Sequence, residues 1–533
     1  MPPSFKIYPF ARSLLLCSLS AVLLVFSFPK IDCGPLIWIS LVPWLFAIDG
    51  RRGPAVFGYS YFTGVLFFFG SLYWFMYVTF VGAILLMLYL ALYFGAFGLV
   101  HRYFSRQSLW IKILALSSSW VALEYARGHL FSGFGWVSLC HSQYQNLALI
   151  QIADMTGIYG ISFLVVAVNV LIKENIAFAL GFSVEKSKDL LRLNLIILGV
   201  LVVVFGYGLW RLTMPVPMPM VKVAVVQGNI PQEEKWQSDN REATIDKYLK
   251  LSQTILQSKP DLLIWPETAF PGIIDEAPDL MRRIQDFARS SGIPVLLGIV
   301  TAGDPEYYNS ALLISAQGEF LERYDKLHLV PFGEYLPFRK QFPFLTDLVP
   351  IEDFSPGRRP TVFYLSVNQS QSNVGTVQDS APGVLTRGAP PFNVGEITFS
   401  VLICFEDTLA RIARRFVQKD AQMLVNITND AWFKDSKEPF MHLQAAVFRC
   451  IENRRSLVRA ANTGVSCAVD PYGRVLKYVE DRRHKKTYID GAAVFFVPLN
   501  TAQTLYTKFG DVFTYLCFVC ILWAGYRERH INI

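Results

Sequence analysis

Charge is what this 533-residue chain has least of: only 17% of its residues are Asp, Glu, Lys or Arg. A water-soluble domain carries about a quarter. The shortfall, together with 53% hydrophobic residues, 42 Phe and 11 Trp, excludes an ordinary soluble protein. Cysteine is sparse too. The eight cysteines form no paired C-x-x-C metal pattern, and Cys517 and Cys520 lie inside an apolar stretch. A zinc ribbon is therefore excluded, and a disulfide framework is not expected at this density. No internal repeat stands out at periods of roughly 20 to 50 residues, which excludes a solenoid. The formal net charge of +7 would suit a nucleic-acid binder, but the basic residues sit in short loops between apolar runs. They read as topology signals, so no nucleic-acid partner is expected.

What is there in abundance is long apolar runs. A bilayer crossing needs roughly 20 mostly apolar residues. Candidate spans cover about 11–28, 35–49, 54–76, 79–100, 108–126, 156–172, 193–211 and 508–525. Lys6 and Arg12 precede the first, no small-x-small cleavage site follows it, and it reads as an uncleaved first span. Arg51, Arg52, Arg102, Arg106, Lys112, Lys173, Lys186, Lys188, Arg192, Arg527 and Arg529 all fall on one side if the N-terminus is cytoplasmic. That pattern predicts seven spans over 1–212, an external domain over 213–507, and a last span with a short tail over 508–533.

The polar segment has a different texture. Strand-like runs at Val221–Gln227, Asp261–Trp265, Pro294–Val300, Ala311–Ser315, Ile397–Cys404 and Gln422–Thr428 alternate with amphipathic stretches at Glu242–Gln257, Asp279–Arg289 and Phe440–Asn453. Such alternation predicts an α/β domain with a buried sheet. Residues 365–390, rich in Ser, Gln, Gly, Thr and Val, read as a long mobile loop.

Three local patterns in this domain carry chemistry. In Asp261-Leu-Leu-Ile-Trp-Pro-Glu267, an apolar strand runs into a carboxylate, at the edge where α/β sheets place their sites. In Tyr324-Asp-Lys326-Leu-His-Leu-Val-Pro, a lysine enters an apolar, Pro-bracketed stretch, where a buried ammonium needs an anionic partner. In Ile397-Thr-Phe-Ser-Val-Leu-Ile-Cys404-Phe-Glu406, a strand ends on a thiol. A thiol opening a helix is expected to ionise more readily. Taken singly, each residue is as well read as a solvated Glu, a surface Lys or a buried structural Cys. Together they form an acyl-transfer kit: Cys404 as nucleophile, Glu267 as base, Lys326 as stabiliser of the oxyanion. His328 and His442 are read as structural, and no metal or cofactor is expected.

The Glu–Lys–Cys order resembles the nitrilase, or carbon–nitrogen hydrolase, superfamily. That resemblance implies an αββα sandwich with Glu267, Lys326 and Cys404 as its triad. With the spans, the chain is similar over nearly its whole length to the apolipoprotein N-acyltransferase family. The motifs are Val226-Gln-Gly-Asn-Ile-Pro-Gln, Leu329-Val-Pro-Phe-Gly-Glu-Tyr-Leu-Pro, Asn429-Asp-Ala-Trp-Phe and Arg459-Ala-Ala-Asn-Thr-Gly. The resemblance implies a bacterial inner-membrane acyltransferase, multi-pass, with a periplasmic catalytic domain. Its acyl donor would be a membrane phospholipid, its intermediate a Cys thioester, and its acceptor the N-terminal amine of a diacylglyceryl-cysteine apolipoprotein.

The resemblance also implies lesser roles. Glu334 matches a second essential Glu, as partner to Lys326 or as base; Glu406 follows the nucleophile by two; Trp236 matches a tryptophan of a mobile lid. Phe405 stands where some members have Tyr and so lacks the hydroxyl. The chain is expected to act as a monomer. The competing reading is a membrane-tethered amidase that lets water resolve the thioester. In the membrane part, Glu124 and Arg127 are spaced to pair on one helix face. With Phe134-Gly-Trp136, Gln143 and Gln151 they are alternatively the lining of a lipid path beneath Cys404.

Overall fold

The computed structural model describes residues 9–182, 185–303, 306–336, 339, 341, 353–367 and 395–531. Among the described residues, four helices are long and apolar enough to cross a membrane: Gly53–Tyr77, Phe80–Tyr103, Tyr159–Ala179 and Ser187–Leu212. On the last, Leu195, Ile196, Val202 and Val203 are all more than half exposed, as side chains meeting lipid would be. The other expected spans are helical but less clear-cut. Phe10–Phe26 has 17 residues. Leu109–His129 carries Lys112, Glu124 and Arg127 within its run. Residues 35–49 form no continuous helix. They split into a 3-10 turn, Gly34–Trp38, and a short helix, Val42–Ile48, each with a proline in its first turn. Proline lacks the N–H that would carry one helix into the next.

Among the described residues, the polar half is built on two six-stranded sheets. Strands β1 (Met220–Gln227), β2 (Leu262–Ile264), β3 (Val295–Ala302), β4 (Tyr307–Ile314) and β5 (Phe320–Asp325) make the first, with β12 (Gly491–Pro498) on its edge in the order β12-β1-β2-β3-β4-β5. Strands β6 (Phe363–Ser366), β7 (Glu396–Ile403), β8 (Met423–Thr428), β9 (Ser456–Ala461), β10 (Cys467–Val469) and β11 (Val475–Tyr478) make the second, in the order β11-β10-β9-β8-β7-β6. Each sheet has a parallel centre, β1-β2-β3 and β7-β8-β9, flanked by antiparallel strands. Side chains alternate across a strand. Val221, Val223, Val225, Leu262 and Ile264 therefore pack in the core shared with Phe399, Val401 and Val425 of the other sheet. Their neighbours Ala224, Val226, Leu263 and Trp265 pack against helices Arg241–Gln253 and Pro278–Ser291. The polar stretch expected to be a loop from 365 begins on β6 instead; its part from 368 to 390 lies outside the described residues.

Helix Glu438–Asn453 covers the second sheet and is buried on every face: all of its residues but Phe440 are enclosed. The membrane half supplies the outer cover. Trp136 lies 5.1 Å from the His442 ring, and His141 lies 5.5 Å from Phe448. At the helix end, Arg454 pairs with Asp154 at 2.7 Å.

Candidate active site

Glu267, Lys326 and Cys404 come from three different loops and meet at one end of the two sheets. Glu267 lies three residues beyond β2, Lys326 directly follows β5, and Cys404 directly follows β7. Lys326 is 1% exposed, and its ammonium lies 2.9 Å from Glu334 Oε1 and 3.6 Å from Glu267 Oε1. Burial pushes this ammonium down, but the carboxylates of Glu334 and Glu267 prevail and hold it above the usual lysine range. Glu267 is itself fixed at both oxygens. Asn309 Nδ2 donates to Oε1 at 2.8 Å, and the Asn429 N–H donates to Oε2 at 2.8 Å. Behind it, β3 approaches so closely that a Cβ on Gly298 would stand 2.5 Å from the Glu267 Cα.

Cys404 is half-buried and holds a left-handed backbone, φ 53°. Non-glycine residues adopt that region at a cost and keep it only where the surroundings enforce it. Here Asn426 Nδ2 at 2.9 Å and His442 Nε2 at 3.2 Å both grip the Cys404 carbonyl. The thiol does not ionise as readily as its place in the sequence predicts. Burial pushes it well up, the Glu267 charge adds to that, and Lys326 and the Thr428 side chain pull the other way. The helix expected to help is a single 3-10 turn, Cys404–Thr408, with too few aligned peptides to prevail.

Glu406 is fully buried and caps both loops. It accepts from the N–H groups of Leu327, His328 and Ile403 at 2.9, 3.0 and 2.8 Å, and from the Tyr324 hydroxyl. Burial pushes its carboxyl up to about 7. Glu334 Oε2 also accepts the Val330 N–H at 2.8 Å. Phe405 sits beside the site, its ring centroid 5.6 Å from the Lys326 ammonium. Trp236 is 46% exposed on the segment following β1.

The family model for the carbon–nitrogen hydrolases matches residues 222–490, and that for the apolipoprotein N-acyltransferase N-terminal domain matches residues 20–171. An apolipoprotein N-acyltransferase of Geobacter metallireducens is 35% identical over 99% of this chain and 98% of its own. The chain belongs to the apolipoprotein N-acyltransferase family. The family member of Chlorobaculum tepidum is 30% identical, with 96% of each chain covered. An amidase from Nesterenkonia sp., of known structure, is 18% identical with a TM-score of 0.37, covering 57% of this chain and 99% of that one.

Asn309 and Lys235 help hold this acyltransferase-family site together, and the sequence does not single them out. Asn309 bridges the two carboxylates, donating to Glu267 and to Glu334 Oε1 at 2.7 Å. Lys235 is buried and donates to the Glu267 main-chain carbonyl at 3.0 Å. His442 lies 2.7 Å from Asp407 and 3.3 Å from Asp430. Burial and Arg459 push its imidazole down, but Asp407 and Asp430 prevail and hold it well above the ordinary range. The structural reading of His442 thus gains a specific object, the Cys404 carbonyl. Asp430, Glu438 and His442 bring ligand-type atoms within 4.8 Å of one another, but Arg459 already pairs with Asp430 at 2.9 Å and supplies the positive charge there. The motif Arg459-Ala-Ala-Asn-Thr-Gly was the sequence signal for this network; its partners were not legible.

The membrane loop differs from one expectation. Glu124 and Arg127 make no ion pair with each other. Glu124 accepts from Trp120 Nε1 at 3.0 Å and from the Leu139 N–H at 2.9 Å, and Arg127 donates to Ser138 at 2.9 Å. Both fix the loop that carries Phe134-Gly-Trp136. Gly135 there lies against the Thr408 carbonyl, 2.4 Å from where a Cβ would stand. The loop thus packs directly against the turn that bears Cys404.

Proposed function

We propose that the chain moves an acyl chain from a membrane phospholipid to the N-terminal amine of a diacylglyceryl-cysteine apolipoprotein, with Cys404 as the covalent carrier. The observation that carries this reading is the placing of Glu267 against Lys326, with Lys326 held between two carboxylates. In the first step Glu267 takes the thiol proton as Sγ attacks the ester carbonyl. The C–S bond forms, and the carbonyl oxygen takes the negative charge and faces the Lys326 ammonium. Collapse breaks the ester C–O bond, and Glu267 returns the proton to the departing lysophospholipid. In the second step the neutral acceptor amine attacks the thioester and gives its proton to Glu267. The amide forms and Cys404 is released as the thiol. The raised thiol suits this scheme, because Sγ then needs the base at the moment of attack. Glu334 and Glu406 act through Lys326 and through the loops they cap, and Trp236 stands at the rim where the acyl chains enter.

Apolar segments on both sides of residues 213–507, four of them among the described residues long enough to cross a bilayer, support an inner-membrane protein, with that domain on the periplasmic side in this reading. Lys and Arg on the opposite loops favour that orientation. Both substrates are anchored in the bilayer, so tethering the catalytic domain at both ends keeps it where they diffuse. The chain works as a monomer in this reading.

The deciding experiment incubates the membrane protein with a phospholipid bearing a labelled acyl chain and no acceptor. A hydroxylamine-sensitive label on the protein, absent from Cys404→Ala and discharged by a diacylglyceryl-cysteine peptide, is the expected result. A label that persists in Cys404→Ala would sink the reading.

A further inference from the structure

Lys326 faces two carboxylates, Glu334 at 2.9 Å and Glu267 at 3.6 Å, and one ammonium cancels only one of them. The surplus negative charge stands beside the thiol that must become a thiolate. Moving the thiol proton to Glu267 relocates that charge without removing it, and attack then passes it to the substrate oxygen. A second cation in the site would favour every one of these states.

The segment after β1 places one there. Its residues Glu233, Glu234 and Trp236 are exposed, while Lys235 between them is 1% exposed and turned inward. Its one side-chain hydrogen bond among the described residues goes to the main-chain carbonyl of Glu267 at 3.0 Å. The charged groups that act on it are Glu267, beyond β2, and Cys404, beyond β7. Such burial is costly for a lysine that only tethers a loop, since a snorkelling side chain would keep its head in water.

We propose that Lys235 is a positioning residue that supplies the second positive charge of the site, balancing Glu267 and Glu334 while Cys404 gives up its proton. The inference rests on Cys404 being the acyl carrier. Burial pushes Lys235 down to about 7, while the charges of Glu267 and Cys404 hold it up. Lys235 is therefore close to its own titration at neutral pH, and a forming thiolate draws it toward the charged state.

The test uses full-length protein in detergent and reads iodoacetamide alkylation of the Cys404 peptide against pH by mass spectrometry. Lys235→Met removes the charge and the donor. Lys235→Gln keeps a donor for the Glu267 carbonyl but carries no charge. Both are expected to shift the alkylation midpoint upward by about one pH unit, so that the rate at pH 7 falls about tenfold. Lys235→Arg, which keeps the charge, is expected to stay within about threefold of the parent. Recovery by Gln as complete as by Arg would assign Lys235 a tethering role alone and overturn the proposal. So would an unmoved midpoint, or a rate lowered equally at every pH. Should Lys235→Met not fold, the Gln and Arg pair decides the matter. Alkylation needs no lipid, so the result stands apart from whether phospholipid labels Cys404.

Discussion

The hydroxyl of Tyr324 lies 2.9 Å from both carboxylate oxygens of Glu406, joining the strand before Lys326 to the turn that bears Cys404. The two groups belong to different sheets, so this contact helps set how far the ammonium stands from the thiol. Removing one hydrogen bond to this buried carboxyl costs about 1–3 kcal/mol. Tyr324→Phe is expected to slow acyl-enzyme formation roughly tenfold to a hundredfold with the fold retained. Glu406→Gln is expected to be worse, because its NH₂ would face backbone donors that now meet a carboxylate. Single-turnover labelling by phospholipid measures both; equal rates in Tyr324→Phe and parent would remove this contact from the site's geometry.

Asn309 keeps two like charges side by side by donating to each. Asn309→Ala removes two hydrogen bonds to charged groups, each worth about 1.5–3 kcal/mol, and is expected to lower the labelling rate at least about a hundredfold. Asn309→Asp adds a third carboxylate around Lys326 and is expected to fall well below Asn309→Ala. The order of the two variants is the diagnostic, and its reversal would count against a bridging role.

Glu267 raises the thiol of Cys404, so its removal has opposite effects on two readouts. Glu267→Gln takes away a negative charge, which lowers the pH at which the thiolate forms. At a fixed pH below both midpoints, the thiolate fraction then rises tenfold for each unit of downward shift. Alkylation of Cys404 is expected to become faster in Glu267→Gln while acyl transfer is lost. A slower alkylation would contradict the charge arrangement described above.

Gly298 allows β3 to pass behind Glu267, where any Cβ would meet backbone rather than a yielding side chain. Gly298→Ala is expected to cost about 1–3 kcal/mol and to displace Glu267. Thermal unfolding and labelling should both suffer. Gly199→Ala serves as the control, since nothing lies within 4 Å of that position.

Much of the candidate site is legible because Glu267, Lys326 and Cys404 each close a strand or open a loop of distinctive composition. Glu267, Lys326 and Cys404 could be read this way, and so could the strands that deliver Glu267 and Cys404. What escaped was set by contacts distant in sequence. Nothing local marks Asn309 as the bridge between Glu267 and Glu334, or Lys235 as buried. β9 was hidden because Arg459 interrupts its apolar run, although that guanidinium is fully buried and paired with Asp407 and Asp430. β6 and β11 were hidden because they are short, and β11 is partly exposed. The sequence points the thiol the wrong way, because a strand-to-turn motif does not disclose how deeply the sulfur is enclosed. The second apolar run reads as one span in sequence, whereas Pro35 and Pro43 divide it.

Helix Glu438–Asn453 has no free side: one face lies on β-sheet, the other under side chains from the membrane half. The two halves therefore own this wall in common. Cutting the chain between them would strip the sandwich of a lining rather than free a self-sufficient enzyme. His442 stands on this shared wall, with Trp136 of the membrane half against its ring and the Cys404 carbonyl 3.2 Å from its Nε2, so a disturbance on the membrane side reaches the backbone of Cys404 through one side chain.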